Sequence, residues 1–319
     1  MKIDLSQVKT IGTGLVRPEG VMAADDGTIY TTDGRGCCSR IAKDGKTTLW
    51  GNLGGLPNGL CLDKEGNCFV ANIGNGQLQL LASDGTQKVL MTEADGKRMY
   101  TPNFPFIDSQ KRLWVSNSTD HEDLNVALQG YIPDGSVVLL QDGRASILTG
   151  GICFANGLTL DAEEKFLYLA ETIKRRILRY AVSPDGSLSP PAVYGPDFLG
   201  KQGFPDGIAF DEAGNLWITF PGWNAVGYLT PREELVIALE DPERKVLKSP
   251  TNICFGWEGR RIAFIGSLGG TTIPFFEVPH PRWNAQSADE GSRREADVHA
   301  QLSFYRFAKQ VMGLQLNRP

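Results

Sequence analysis

The stretch FPDGIAFDEAGNLWIT, residues 204–219, contains two short strand-forming runs around a turn. Residues 208–210 and 216–219 are mostly β-branched or aromatic, and the segment DEAGN between them includes a glycine. Such runs on either side of a glycine-containing turn predict a β-hairpin. The acidic residue Asp206 stands just before the first run, where the hairpin alone gives no reason for a charge.

The same phrase recurs along the chain. Related segments start at residues 18, 57, 102, 155 and 251, and each has a polar residue, an apolar run, a turn and a second run. The polar residue is the second of each segment, and the six lie 39 to 53 residues apart: Glu19, Asn58, Asn103, Asn156, Asp206 and Asn252. A period of about 40 to 50 residues is typical of four-stranded propeller blades. The sequence therefore predicts an all-β fold, a six-bladed β-propeller with four-stranded blades.

The propeller is expected to occupy residues 1–280 of the 319 residues, followed by a tail, 281–319, to which the sequence assigns no role. The 37 glycines and 18 prolines agree with many turns and few long helices. Because a ring of sheets must cover its first and last edges, residues 8–17 are predicted to supply the outer strand of the last blade. The tail could pack on the propeller or join copies into a homo-oligomer.

Charge and composition exclude several partners. A net charge of −5 and the lack of a basic run argue against nucleic acid. No apolar stretch approaches the roughly 20 residues of a membrane span, and the N-terminal residues lack the apolar core of a signal peptide. We therefore expect a cytoplasmic protein without a membrane or nucleic-acid partner. The six cysteines show no CxxC spacing and are predicted to be buried free thiols.

Equivalent positions of successive blades surround the central channel, so the six polar residues should face one another there. For Asn58, turn chemistry is the favoured interpretation, because Asn-Gly tolerates a left-handed backbone. That interpretation is weaker for Asn103 and Asn252, which no glycine follows. Two carboxylates and several amides around one axis would be stabilised by a hard divalent cation such as Ca²⁺, Mg²⁺ or Mn²⁺. Without clustered His and Cys, zinc would need water molecules to complete its shell.

Four motifs carry a resemblance to a known family: RPEGV, TPN, ANGLTLD and PDGIAFD, in this order. They resemble the metal-binding motifs of the SMP-30/gluconolactonase/luciferin-regenerating enzyme family of six-bladed propellers, over residues from about 10 to 280. The resemblance implies that Glu19, Asn156 and Asp206 bind one divalent cation, with Ca²⁺ favoured over Zn²⁺, Mn²⁺ and Mg²⁺. It also implies that Asn103 contacts the substrate and that Asp206 is the catalytic general base. The expected activity is hydrolysis of a small-molecule lactone or related ester.

One departure from the family affects the expected substrate. Sugar-lactone members carry Arg two residues before the third-blade Asn and Asp just after it, whereas this chain has Thr101 and Phe104. We therefore expect Thr101 and Phe104 to line a site for a more apolar or aromatic substrate, although Phe104 could instead pack within its blade. The long insertion TDHEDLNVALQGYIPDG could fold over the channel mouth as a lid, from which His121 could reach the substrate.

Two alternatives share the same site. It could hydrolyse a phosphoric ester of the organophosphate type, or it could hold a structural Ca²⁺ in a propeller that binds a ligand without turnover. The sequence contains no GxSxG elbow, P-loop or HExxH motif, so serine-hydrolase, nucleotide and zincin chemistry have no support.

Overall fold

Six antiparallel sheets form the fold, as the repeat predicts. The computed structural model describes residues 2–257, 259 and 261–278, together with the backbone of residues 300 and 301. Each blade is a four-stranded sheet, to which residues 300 and 301 add a short fifth strand in the fourth blade, and the first strands of neighbouring blades contact one another around the channel. The architecture is therefore a six-bladed β-propeller whose innermost strands carry the six aligned polar residues.

The chain begins with a 3-10 turn, Leu5–Gln7, and then forms strand β1, Lys9–Ile11. Blade 1 consists of β2 Val21–Ala23, β3 Ile29–Asp33, β4 Cys37–Ile41 and β5 Thr47–Trp50. Blade 2 consists of β6 Pro57–Leu62, β7 Cys68–Asn72, β8 Gln77–Leu81 and β9 Gln87–Met91. A small hairpin follows, β10 Glu93–Ala94 and β11 Lys97–Arg98. Blade 3 consists of β12 Pro102–Ile107, β13 Leu113–Asn117, β14 Gly135–Gln141 and β15 Arg144–Ile152, with helix α1, Leu124–Gln129, between β13 and β14.

Blade 4 consists of β16 Ala155–Leu160, β17 Phe166–Glu171, β18 Arg176–Ala181 and β19 Ala192–Tyr194. Blade 5 consists of β20 Ile208–Phe210, β21 Leu216–Phe220, β22 Ala225–Leu229 and β23 Leu235–Glu240. Blade 6 contains β24 Pro250–Gly256, β25 Ile262–Ser267 and β26 Ile273–Glu277. Its outer strand is β1, which pairs antiparallel with β26. The prediction that the N-terminal segment closes the ring is confirmed.

The hairpin that opened the sequence analysis is β20 and β21, paired in the register Ile208 to Ile218. Its turn is held by Asp211, whose Oδ1 accepts from the backbone N–H of Asn215 at 2.9 Å. Asp211 Oδ2 accepts from the Trp217 indole N–H at 2.9 Å. A single buried carboxylate thus ties the turn to the second strand, which explains why a turn-forming aspartate comes directly after the first strand.

Buried apolar side chains lie between neighbouring blades. Along β21, Leu216, Ile218 and Phe220 face the core shared with blade 4, whereas Trp217 faces blade 6. The Trp217 ring meets the Phe255 ring edge-on, with centroids 6.0 Å apart. Successive residues of a strand point to opposite faces of the sheet, and neighbouring blades cover both faces. The sequences of the strands are therefore nearly continuous apolar runs.

All six cysteines are buried and free, as predicted. Within the described part of the chain, no helix is long and apolar enough to cross a membrane. The backbone of β27, Ala300–Gln301, pairs with β16. The rest of the predicted tail, and with it the prediction that the tail joins copies of the chain, lies outside the described residues.

Candidate metal centre

The six aligned polar residues lie at equivalent places, within or just before the first strand of each blade. They are all buried, with side chains at most 3% exposed: Glu19, Asn58, Asn103, Asn156, Asp206 and Asn252. Buried polar groups are normally hydrogen-bonded, because an unpaired group costs about 1–3 kcal/mol. The partners of these side chains therefore indicate what the site is built to hold.

A chain of polar contacts links the first three blades. The Arg17 guanidinium forms an ion pair with Glu19, and its Nη2 donates to Asn58 Oδ1 at 2.9 Å. Asn58 Nδ2 in turn faces Asn103 Oδ1 at 3.2 Å. Asn103 Nδ2 donates to Ser118 Oγ at 2.8 Å. This chain fixes the orientation of both amides.

The turn interpretation of Asn58 is wrong. Asn58 lies within the strand β6, and its backbone is not left-handed. The glycine after it is required by close packing instead, because a Cβ on Gly59 would lie 2.0 Å from Phe104 Cδ2 and 2.7 Å from the Asn103 carbonyl oxygen. Inner strands crowd together at the channel, and a glycine permits that approach.

Three buried threonine hydroxyls join successive blades. Thr32 Oγ1 donates to the Asn58 carbonyl at 2.7 Å, and Thr251 Oγ1 donates to the Glu19 carbonyl at 3.0 Å. Thr172 Oγ1 accepts from Asn156 Nδ2 at 2.9 Å and donates to the Pro205 carbonyl at 2.9 Å. The backbone that presents the polar ring is therefore held rigidly from blade to blade.

Two carboxylates share the centre of the site, and both are perturbed. Burial raises the pKa of Glu19 to about 7, although the Arg17 guanidinium and the Asn58 amide oppose the rise. Burial, followed by the charge of Glu19, raises the pKa of Asp206 well above its usual value, and Arg17 opposes this rise as well. The charge of Glu19 therefore makes the ionised form of Asp206, already penalised by burial, harder to keep.

Asp206 has no partner that explains its burial. Neither of its carboxylate oxygens accepts a hydrogen bond from any group in the described ranges. Its backbone is well fixed, because its N–H donates to the Thr219 carbonyl at 2.9 Å. A buried, rigidly presented and unpaired carboxylate beside a second carboxylate is an arrangement that a cation would stabilise.

The donor set fits a hard divalent cation. Among residues 2–257, 259 and 261–278, no group of three or more His, Cys, Asp and Glu side chains is placed to hold a metal. Two carboxylates, Glu19 and Asp206, and amide side chains such as that of Asn156 are thus the ligand types at hand. Oxygen donors of this kind suit Ca²⁺ or Mg²⁺ better than a softer metal.

Helix α1, in the long insertion of blade 3, packs against residues of other blades. Ala127 and Leu128 of α1 are buried in an apolar cluster with Phe154, Ile173 and Phe204. The other members are Cys153, Leu56, Ile73 and Leu124. Leu56, Phe154 and Phe204 each stand two residues before a ring residue, so the helix of blade 3 packs against blades 2, 4 and 5 near the polar ring. We name this set the lid cluster. That this helix acts as a lid over the channel mouth stays a prediction.

The predicted substrate residues lie at different depths. Thr101 is buried, and its N–H donates to Asn117 Oδ1 at 3.0 Å. Phe104 is fully buried in the core shared by blades 3 to 5 and packs close to Gly59. His121 is exposed at the start of the lid insertion, where its N–H donates to Thr119 Oγ1 at 3.1 Å. Their roles toward a substrate stay predictions.

Arg17 is the site residue that the sequence analysis missed, although it stands in the quoted motif RPEGV. A signal was present in the alignment. The residues two positions before the six ring residues are Arg17, Leu56, Thr101, Phe154, Phe204 and Pro250. Arg17 alone among these six is charged. A guanidinium next to a Pro-Glu pair, at a position that is otherwise apolar or neutral, could have been recognised as a site group.

The fold and the site define a class: a six-bladed propeller with buried carboxylates and amides around its channel. The family model described as SMP-30/Gluconolactonase/LRE-like region matches residues 82–269, and the chain belongs to this family. The chain is 28% identical over 228 residues to Protein STRICTOSIDINE SYNTHASE-LIKE 4 of Arabidopsis thaliana, which covers 67% of this chain and 59% of that protein. It is 24% identical over 217 residues to a gluconolactonase of Zymomonas mobilis, which covers 64% of this chain and 59% of that protein.

The matched segments thus span about three fifths of the length of these two relatives. Among solved structures, the calcium-binding protein regucalcin from Agrobacterium tumefaciens matches with a TM-score of 0.68 at 15% identity. The match covers 85% of this chain and 95% of that one. At this level of identity the similarity concerns the fold.

Proposed function

We propose that the protein is a divalent-metal-dependent hydrolase of lactones or related esters. The observation that carries the proposal is the buried carboxylate of Asp206, which lacks a hydrogen-bond partner among the described residues and feels the charge of Glu19. The similarity to a gluconolactonase supports the reaction class. The fold similarity to a calcium-binding protein supports a cation, with Ca²⁺ the favoured ion.

Glu19, Asn156 and Asp206 would hold the cation, which supplies polarisation of the substrate carbonyl when it is bound. Asp206 takes a proton from a water molecule as the water oxygen adds to the carbonyl carbon, and the ring C–O bond then breaks to leave an alkoxide that receives the proton. The hydrogen bond from Asn156 Nδ2 to Thr172 keeps the amide of Asn156 in one orientation. Asn103 is held by Ser118 and orients the substrate.

The mouth favours a substrate with an apolar part. The lid cluster contains the buried side chains of Leu128, Phe154 and Phe204, and the two phenylalanines stand two residues before ring residues. Thr101 stands where sugar-lactone members of the family carry an arginine, so one charged contact to a polyhydroxylated ring is missing. We infer an aliphatic or aromatic lactone, or a related ester, in preference to an unmodified sugar lactone.

The test is turnover of aliphatic, aromatic and sugar lactones by metal-stripped protein, before and after addition of Ca²⁺, Mn²⁺, Mg²⁺ or Zn²⁺. Asp206→Asn should abolish turnover while the fold is kept. Asp84→Asn is the matched control and should retain activity, because it is the same change in an exposed turn, where the Asp84 side chain accepts from the backbone N–H of Thr86. Undiminished turnover in metal-free protein or in Asp206→Asn would refute the mechanism.

The fold similarity to regucalcin gives the second candidate, a propeller that binds Ca²⁺ without hydrolysis. It predicts that Ca²⁺ raises the melting temperature, since a ligand bound only by the folded state stabilises it, while no lactone or ester is turned over. The remaining alternative is hydrolysis of a phosphoric ester at the same site, and an organophosphate assayed alongside the lactones distinguishes it from lactone hydrolysis.

A further inference from the structure

Arg17 places a permanent positive charge at the proposed cation site. Its side chain is 7% exposed and forms an ion pair with Glu19. It also donates from Nη1 to the Pro57 carbonyl at 3.2 Å and from Nη2 to Asn58 Oδ1 at 2.9 Å. Arg17 also interacts electrostatically with the Asp206 carboxylate. The guanidinium therefore stands in the field of both carboxylates.

The surroundings of Arg17 make this arrangement unusual. Leu56, Phe154 and Phe204, which occupy the equivalent position in blades 2, 4 and 5, belong to the apolar lid cluster. An arginine at such a position must be paired to be buried, and its partners are Glu19 and the polar groups of blade 2. A metal ion bound by Glu19 and Asp206 would have to share these carboxylates with the guanidinium.

We propose that Arg17 is a built-in counterion that neutralises the carboxylate pair when no metal is bound and competes with the divalent cation for it. The inference rests on the proposed function, because it concerns the cation that the function requires. Removing the guanidinium charge should strengthen metal binding, since like charges near a cation site weaken it. Removing it should also destabilise the metal-free protein, since two buried carboxylates then face each other uncompensated.

A consequence follows for the ligand. When a divalent cation joins two carboxylates, their charges balance and the guanidinium charge is left in excess. A site with excess positive charge attracts anions, including the hydroxy-acid carboxylate that lactone hydrolysis releases. We therefore expect the loaded site to bind such carboxylates more tightly than the corresponding neutral alcohols, and this preference should be lost in Arg17→Gln.

The experiment is calorimetric titration of CaCl₂ and MnCl₂ into the metal-stripped full chain, with thermal melting of the same samples. Arg17→Gln should bind the ions at least about tenfold more tightly than the wild type and melt at a lower temperature when metal-free. Arg17→Lys keeps the charge and should bind with nearly wild-type affinity. Arg35→Gln is the matched control, because Arg35 pairs with Asp33 and not with the proposed ligands. If metal-free Arg17→Gln does not fold, the protein purified with Ca²⁺ and titrated with EGTA gives the same constant.

The outcomes separate this inference from the proposed function. If the wild type binds metal and Arg17→Gln binds it no more tightly, the counterion role is overturned and the metal-dependent function stands. If only Arg17→Gln binds metal, the counterion role is supported, and Arg17 has replaced the metal in the natural chain, which overturns the metal dependence. If folded wild type and folded Arg17→Gln both bind no divalent cation, both proposals are overturned.

Discussion

Replacing Glu19 with glutamine should stabilise the metal-free protein at high pH, because Arg17 keeps its bonds to the Pro57 carbonyl and Asn58 and its interaction with Asp206 after the ion pair is lost. Burial raises the pKa of Glu19 from 4.5 to about 7 in the folded protein. Between these two values the folded state binds more protons than the unfolded state, so stability falls as pH rises. Each unit of pKa difference corresponds to about 1.36 kcal/mol. Above pH 7 the ionised Glu19 carboxyl therefore lowers the free energy of unfolding by about 3 kcal/mol relative to a neutral side chain. Glutamine resembles the neutral form and avoids this cost.

The assay is urea unfolding of wild type and Glu19→Gln in the presence of a chelator, at pH 5 and at pH 8.5. The gain in unfolding free energy should be below about 1 kcal/mol at pH 5 and about 3 kcal/mol at pH 8.5. Added Ca²⁺ should raise the unfolding free energy of the wild type but not that of Glu19→Gln. Glu65→Gln is the control, because Glu65 is an exposed partner of Lys111 and should give no pH-dependent difference. Equal stabilities of wild type and Glu19→Gln at pH 8.5 would refute the claim that Glu19 is held ionised at a cost.

Two further predictions concern the lid and the ring closure. Leu128→Ala removes a buried side chain of the lid cluster and should raise KM for apolar lactones by about tenfold, with little change in Ca²⁺ affinity. Val126→Ala changes an exposed residue on the same helix and should leave KM unchanged. Steady-state kinetics checks this, and an unchanged KM in Leu128→Ala would show that the lid does not contact substrate. Deletion of residues 2–12 removes β1 from blade 6 and should lower the melting temperature by more than 10 °C or prevent folding, because it exposes the edge of β26. A cooperative melt at the wild-type temperature would contradict this role for β1.

The fold was predictable because its signals are local and repeated. The hairpin of β20 and β21 follows from its composition and turn, and the same phrase at blade-length spacing gives the number of blades. The outer strand of blade 6 was predictable because any closed ring must cover the edges of its first and last sheets. For this reason residues 9–11 could be assigned, although their own sequence gives only a weak strand signal.

The site was predictable only in part. Alignment of repeats identified Glu19 and Asp206, because a charged residue at a position otherwise occupied by Asn is visible in the sequence. The role of Asn58 was misjudged because the frequency of Asn-Gly in turns reflects local backbone preference. Here the glycine at position 59 is required by a contact with the side chain of Phe104 from the next blade, which a local preference does not record. The lid cluster brings together residues from four blades, and no local pattern records such contacts.

The way the ring closes also sets the order in which the protein can be completed during synthesis. Strand β1 leaves the ribosome long before β26, yet Lys9 pairs with Phe275. At about 5–20 residues per second, the wait between the two is on the order of ten seconds to a minute. Throughout that interval the emerging chain is an open arc with unpaired backbone at both ends, able to join with a second arc as readily as with itself. The burial of Asp206 and Glu19 deep within the ring therefore depends on a contact that forms last.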